Sequence, residues 1–258
     1  MQESTTKKIT NTPKKYLELQ RELSSTDRKA KFVMYLFSEG SREYDFLLKI
    51  LSMGRDVYWR NSIIEKARAS ARGKVLDIAC GTGLVSYQFA SRGNTVVGID
   101  VTREMLARAL ALRDNKYPKS DVNFIQARAE NLPLRSEVFD CATISLATRN
   151  VSSVSSTFQE MERCVKAGGP VISMDFTRPQ GRNFGAFYNF YIFRILPSLG
   201  MVISRHWYGI FSYLAGSIKR SRTPEQLSQI MGQVGLKKVE VKRMTHGTTA
   251  LVSGYKTT

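Results

Sequence analysis

Cysteine and histidine are scarce in this chain: its 258 residues include three cysteines (Cys80, Cys141 and Cys164) and two histidines. No two cysteines form a C-x-x-C pair, so no zinc spacing can be assembled and no metal site is expected. No apolar run is long enough to span a bilayer; the longest, "NFGAFYNFYIFRILPSLGMVIS", is interrupted by Arg194 and Pro197. The first dozen residues are polar and basic with no apolar centre, so no secretory signal is expected. These absences predict a soluble, cytoplasmic protein with reduced thiols. Acidic residues are also few: 22 Asp and Glu against 39 Lys and Arg leave a net charge of +17. Such a surplus favours polyanionic partners, either nucleic acid or an anionic membrane surface. A generally basic cytosol or a basic tail explains it equally well.

What is present is an ordinary apolar fraction, 42%, enough for one large α/β domain with a sizeable core. Residues 1–30 carry few apolar anchors and read as a mobile arm. From Phe32 to Ala71 apolar residues recur at helical spacing, and a regular alternation follows. "KVLDIA", "TVVGID", "VNFIQA", "CATISL" and "GPVISMDF" read as strands. "LVSYQFASRG", "REMLARALALR" and "STFQEMERCVKAGG" read as helices. The alternation predicts a mainly parallel sheet covered by helices on both faces. It breaks over residues 179–221, where aromatic, helix-like sequence intervenes. It resumes with a helix from Pro224 to Val234 and the strands "KKVEVKRM" and "TTALVSGYK".

The turn "DIACGTG" joins the first strand to the first helix of that alternation. A dinucleotide fold asks for G-x-G-x-x-G, and here Ser86 occupies the third glycine's place. The turn offers free N–H groups at a helix N-terminus, which suit a carboxylate as well as a phosphate. Asp77 would welcome an ammonium group and repel a pyrophosphate. Asp100, closing the second strand, can accept hydrogen bonds from a ribose diol. An amino-acid zwitterion beside a ribose describes S-adenosyl-L-methionine better than a dinucleotide. The alternative is a pair of turn glycines with a helix-capping aspartate.

These residues resemble the class I methyltransferases, and further segments resemble the ubiquinone/menaquinone C-methyltransferases, the UbiE/MenG group. "REYDFLLKILSMGRDVYWR", "VLDIACGTG", "GIDVTREML", "AENLPLRSEVFDCATISLATRNV", "EMERCVKAGGPVISMDFTRP", "RILPSLGMVISR", "FSYLAGSIKRSRTPEQL" and "THGTTALVSGYK" run in family order from about Phe37. The resemblance implies a Rossmann-like, seven-stranded sheet with an antiparallel last strand, S-adenosyl-L-methionine as methyl donor and a prenylated quinol as acceptor. It carries the cofactor residues onto Asp77, Gly81, Thr82, Gly83, Asp100, Val101, Arg128 and Ala129. One departure stands out. The family's usual acid for the adenine amino group is replaced by Arg128, which cannot accept a hydrogen bond. The Ala129 N–H and stacking then remain for adenine, with Glu130 as a substitute acid if the loop shifts.

The loops "ATRNV" and "DFTRP" leave the fourth and fifth strands where ligands gather in open α/β sheets. They nominate Arg149, Asn150 and Asp175 as catalytic. A quinol ring carbon becomes nucleophilic when its phenol ionises; phenols titrate near 10, and a cation beside the oxygen favours the phenolate. Arg149 is the candidate cation, with water as proton acceptor or Asp175 or His246 as base. The plainer alternatives are that Arg149 pairs with a carboxylate and Asn150 caps the next helix. Residues 31–258 then form one methyltransferase domain. Residues 179–221 read as a lid whose aromatics and interspersed Arg182, Arg194, Arg205, Lys219 and Arg220 suit anionic lipid, placing the protein at the membrane periphery. An RNA methyltransferase would want base-stacking motifs or an added domain, and neither is apparent. A non-catalytic binder of the cofactor is the remaining rival.

Overall fold

Strands in this chain are short apolar runs, and several stop where the backbone turns left-handed. Strand β1 (Lys74–Ile78) ends at Ala79, with φ 51°, and β4 (Cys141–Ser145) at Leu146, with φ 55°. The computed structural model describes residues 44–67, 73–179, 181–203 and 205–257. The arm expected over residues 1–30 and the first part of the helical segment from Phe32 lie outside them.

With β2 (Thr95–Asp100), β3 (Val122–Gln126), β5 (Pro170–Phe176), β6 (Lys237–Met244) and β7 (Thr249–Tyr255), these strands form a seven-stranded sheet ordered β3-β2-β1-β4-β5-β7-β6. The pairs from β3 to β5 are parallel, and β7 runs antiparallel to both β5 and β6. Strand order reverses between β1 and β4, which opens a crevice beyond their carboxyl ends.

Before the sheet stand helices α1 (Tyr44–Leu51) and α2 (Asp56–Ala67); α3 (Leu84–Ala90), α4 (Arg103–Lys116) and α5 (Val154–Cys164) connect its strands. Helix α5 stops at Cys164, short of the glycine pair expected to end it. Val165 turns extended and bridges Phe139 instead. The insertion forms α6 (Arg182–Phe190), a π-turn (Tyr191–Ile195), α7 (Leu196–Ile203) and α8 (Arg205–Lys219). Pro197 has no N–H to give, and the turn before it widens so that Leu196 N–H reaches Tyr191 O. Helix α9 (Pro224–Gln233) starts on a capping box between Thr223 and Gln226, with proline in its first turn. Among the described residues no helix is long and apolar enough to cross a membrane.

Alternation along the strands divides the interior into two cores. Val75, Ile172 and Met174 face Trp59, Ile63 and Phe89 together with the insertion's Ile192, Leu196 and Phe211. Leu76, Ile78 and Ile144 face Phe158 and Met161 of α5 and Leu227 and Met231 of α9.

Trp59 ties the N-terminal helices to this frame. It is 2% exposed, stands edge-on to Phe176 at 5.6 Å, and its Nε1–H donates to Thr245 Oγ1 at 2.7 Å. Trp59→Ala is expected to cost about 3–5 kcal/mol, since the void cannot collapse against the packed face of the sheet. Trp59→Phe keeps most of the volume and loses only the hydrogen bond, about 1 kcal/mol. Urea unfolding of the two variants measures both costs; equal costs would show that the ring's bulk contributes nothing.

Candidate active site

The crevice at the strand-order reversal holds a cleft open to solvent, lined from β1, β2, β4 and the loops that follow them. Gly81, Asp100, Val101, Arg128, Ala129 and Asn150, all nominated from sequence, lie on its wall.

Register explains the centre of the cleft. Ile78 sits beside Ile99, so the turn after β1 meets the end of β2. Gly81 N–H donates to Asp100 Oδ2 at 2.9 Å, and Thr102 N–H donates to Asp100 Oδ1 at 2.8 Å. One carboxylate thus holds the glycine turn and the start of α4 together. Burial raises the Asp100 pKa, and the backbone donors at Thr102 and Gly81 oppose that shift. A carboxylate has about four acceptor positions, so lone pairs remain for a diol. The two glycines of the turn do different work. A Cβ on Gly81 would meet nothing within 4 Å, which leaves its backbone open to a ligand. On Gly83, φ 81°, it would lie 2.9 Å from the Tyr87 ring and 3.0 Å from Phe124.

Asp77 and Thr82 lie off this cleft, Thr82 on the wall of a smaller cavity beyond the glycine turn. Asp77 is fully buried on the face it shares with Val75, and it accepts from Ser86 Oγ at 2.6 Å and from Thr143 Oγ1 at 3.1 Å. Register puts Thr143 beside it on β4. Asp77 does not line the cleft, and its two carboxylate oxygens each hold a hydroxyl. Burial pushes its pKa up to about 6, against the two hydroxyl donors. Thr82 turns toward α1, where its hydroxyl donates to Asp45 Oδ1 at 2.7 Å. Asp45 belongs to the segment "REYDFL", which marked the N-terminal helices but named no role for it.

At the opposite end, the Arg128 side chain leaves the cleft for solvent and donates to Ser152 Oγ at 3.1 Å. Glu130 Oε1 accepts from Ser152 N–H at 2.6 Å. The walls between them are apolar: Ile99, Val101, Met105, Ala127 and Ala129.

Behind the far wall lies a buried ion pair. Arg149 and Asp175 side chains are 5% and 4% exposed, and Arg149 Nη1 pairs with Asp175 Oδ1 and also donates to Leu146 O at 2.6 Å. Asp175 accepts further from Thr148 Oγ1 at 2.5 Å, Arg149 N–H at 3.2 Å and Phe176 N–H at 2.8 Å. With every lone pair taken, Asp175 is a structural acceptor rather than a free base. Arg149 also stacks over Phe176 at 5.3 Å, while its buried Nε has no acceptor. The helix cap expected of Asn150 belongs instead to Ser153, whose Oγ accepts from Ser156 N–H at 3.2 Å. Asn150 Oδ1 accepts from the hydroxyl of Tyr213 at 3.0 Å, which ties the fourth-strand loop to α8 of the insertion. The exposed His246 packs against Phe184 at 5.2 Å and lines no part of the cleft. Ser145, Leu146 and Ser152 are cleft residues that sequence reading missed. They are small or apolar, and only the fold marks them.

Two outcomes follow from this geometry. Both glycines hold a left-handed backbone, φ 56° at Gly81 and 81° at Gly83, so alanine at either costs about 1–2 kcal/mol in strain. Gly83→Ala adds about 1–3 kcal/mol of overpacking, whereas Gly81→Ala adds no clash and should mainly weaken cofactor binding. Calorimetry and urea unfolding separate the two, and identical behaviour would refute the division of labour. Asp77 titrates near 3.8 when unfolded and near 6 when folded. Between these values the native state binds the extra proton, so its contribution to stability is full below about pH 4 and lost as pH rises toward 6. Asp77→Asn removes that titration. Its stability relative to the wild type should rise by up to about 3 kcal/mol from pH 4 to 6 and stay level above. A difference that does not change with pH would contradict the shift.

Comparison with known proteins matches this geometry. Residues 24–256 match the model of the ubiE/COQ5 methyltransferase family. The chain is 33% identical over 234 residues to the ubiquinone/menaquinone biosynthesis C-methyltransferase UbiE of Shewanella frigidimarina, covering 89% of this chain and 92% of that one. The Marinomonas protein of the same name is 32% identical over 235 residues, 90% of this chain and 93% of its own. Among solved structures, a SAM-dependent methyltransferase from Thermotoga maritima superposes with TM-score 0.61 at 18% identity, covering 86% of this chain and 98% of that one. Phosphoethanolamine N-methyltransferase 2 of Haemonchus contortus, in complex with S-adenosyl-L-methionine, gives 0.56 at 17% identity, covering 77% and 52%. The structures share the fold; the family match over nearly the whole chain carries the identity. The chain belongs to the ubiE/COQ5 methyltransferase family and is an S-adenosylmethionine-dependent methyltransferase.

Proposed function

We propose that this protein methylates a ring carbon of a prenylated quinol, of the demethylmenaquinol or ubiquinol-precursor type, at an anionic membrane surface. The observation that carries this reading is the lid. Helices α6 to α8 are fastened to the fourth-strand loop through Tyr213 and Asn150. They also turn Phe187, Phe190, Met201 and Val202 outward at 57%, 57%, 60% and 86% exposure. Arg194, Lys219 and Arg220 are exposed on the same insertion. Apolar side chains beside cations suit an interface with anionic lipid, where each cation near the surface adds about 1 kcal/mol. The same element is thus tied to the site through Asn150 and offers a surface suited to the lipid that dissolves the acceptor. The names of the relatives in Shewanella and Marinomonas point to the same substrate class.

S-adenosylmethionine supplies an electrophilic methyl group on a sulfonium. Asp100 and the Gly81 turn would hold it, with Val101 and the Arg128–Ala129 backbone flanking the adenine. The chain's remaining task is to make the acceptor carbon nucleophilic. Arg149 is held by Asp175 with its Nε free of any acceptor, and the Tyr188 hydroxyl, also buried without a partner, lies within electrostatic reach of both. These two unspent donors would receive the phenolic oxygen and favour its ionised form, and Asn150 would position the ring. Since Asp175 is fully occupied, the phenolic proton leaves to water.

The test offers purified enzyme, S-adenosylmethionine and prenylated quinol in anionic or neutral vesicles. Methyl transfer to the quinol is expected, faster on anionic vesicles at low salt. RNA should bind without accepting a methyl group. Arg149→Ala would strip Asp175 of its partner and cost about 3–5 kcal/mol. Arg149→Lys keeps the charge but not the planar fork. It should lower turnover by roughly a hundredfold or more while cofactor affinity stays within about twofold. Methylation of RNA and of no quinol would overturn the proposal.

A further inference from the structure

A second, smaller cavity continues the cleft past the glycine turn. The two share Ala79, Gly81, Ser145 and Leu146. Since Asp100, Val101 and the apolar walls mark the nucleoside end, the amino-acid end of the cofactor must extend past Gly81 into this second cavity. An amino acid brings a carboxylate there, and its charge needs a cation once water is excluded.

The second cavity's lining includes two charged residues, Asp56 and Arg60, both from α2. Their side chains are 4% and 12% exposed, with Arg60 Nη1 2.7 Å from Asp56 Oδ2. The pair follows from i, i+4 spacing on one helix face. Yet the contact lies off the N–H directions, and Nη1 is buried without an aligned acceptor. Asp56 is itself held by Ser52 Oγ at 3.3 Å. The guanidinium is thus fixed in place by charge while the donors of Nη1 remain unspent.

We propose that Arg60 grips the carboxylate of S-adenosylmethionine, with Asp56 as the residue that positions it. Helix α2 then closes the amino-acid end of the site, and the N-terminal helices take part in cofactor recognition. This does not depend on the identity of the methyl acceptor.

The test compares S-adenosylmethionine with its decarboxylated analogue, which lacks only the carboxylate, by calorimetry without any acceptor. The wild type should prefer S-adenosylmethionine by roughly tenfold to a hundredfold, the range for a hydrogen bond between charged groups. In Arg60→Gln that preference should vanish, with affinity for the decarboxylated analogue within about twofold of wild type. The double variant Asp56→Asn/Arg60→Gln leaves no buried charge unpaired and should behave the same way if the single variant folds poorly. An undiminished preference in either variant, or an equal loss on both ligands, overturns the proposal.

Discussion

The Asp175 carboxylate holds the outer wall of the site together. It lies near the end of β5 and accepts from Thr148, Phe176 and both the backbone and the guanidinium of Arg149. A buried ion pair repays its desolvation only when the remaining hydrogen-bonding positions are filled. Filling them here leaves the β4–α5 loop a single shape. That shape presents Asn150 to the cleft on one side and to Tyr213 of the insertion on the other. Sheet, cleft and helical insertion are therefore joined through one pair of charges.

The two halves of the site are built differently. Around Asp100 the cleft is held by backbone: the N–H groups of Gly81 and Thr102 both donate to its carboxylate, and the Arg128 side chain is half exposed beside Ser152 and Glu130. The neighbouring core beyond β4 is made of long side chains from separate elements: Arg149, Phe176, Tyr188 and Tyr213. Their polar atoms are matched in pairs or left buried without partners.

Much of this was legible in the chain itself. Apolar runs of strand length, separated by helical periodicity and glycine turns, determined a mainly parallel α/β sheet, and the turn "DIACGTG" with Asp100 marked the residues that meet at the cleft. These are local signals, because strand alternation and left-handed glycine turns are properties of neighbouring residues. The end of α5 at Cys164 was not legible, since Val165 leaves the helix to bridge Phe139, a residue far from it in the chain.

Tertiary structure alone decided which charges face the ligand. Asp77 read as a ligand for an ammonium group, but strand alternation and the register against β4 turn it inward to Ser86 and Thr143. Arg60 carried no signal of its own within a segment read only as helical, yet the packing of α2 brings it to the wall of the second cavity. Sequence determines which residues carry charge; the direction a charged group points depends on packing between elements distant in the chain, because water must be excluded around it from every side.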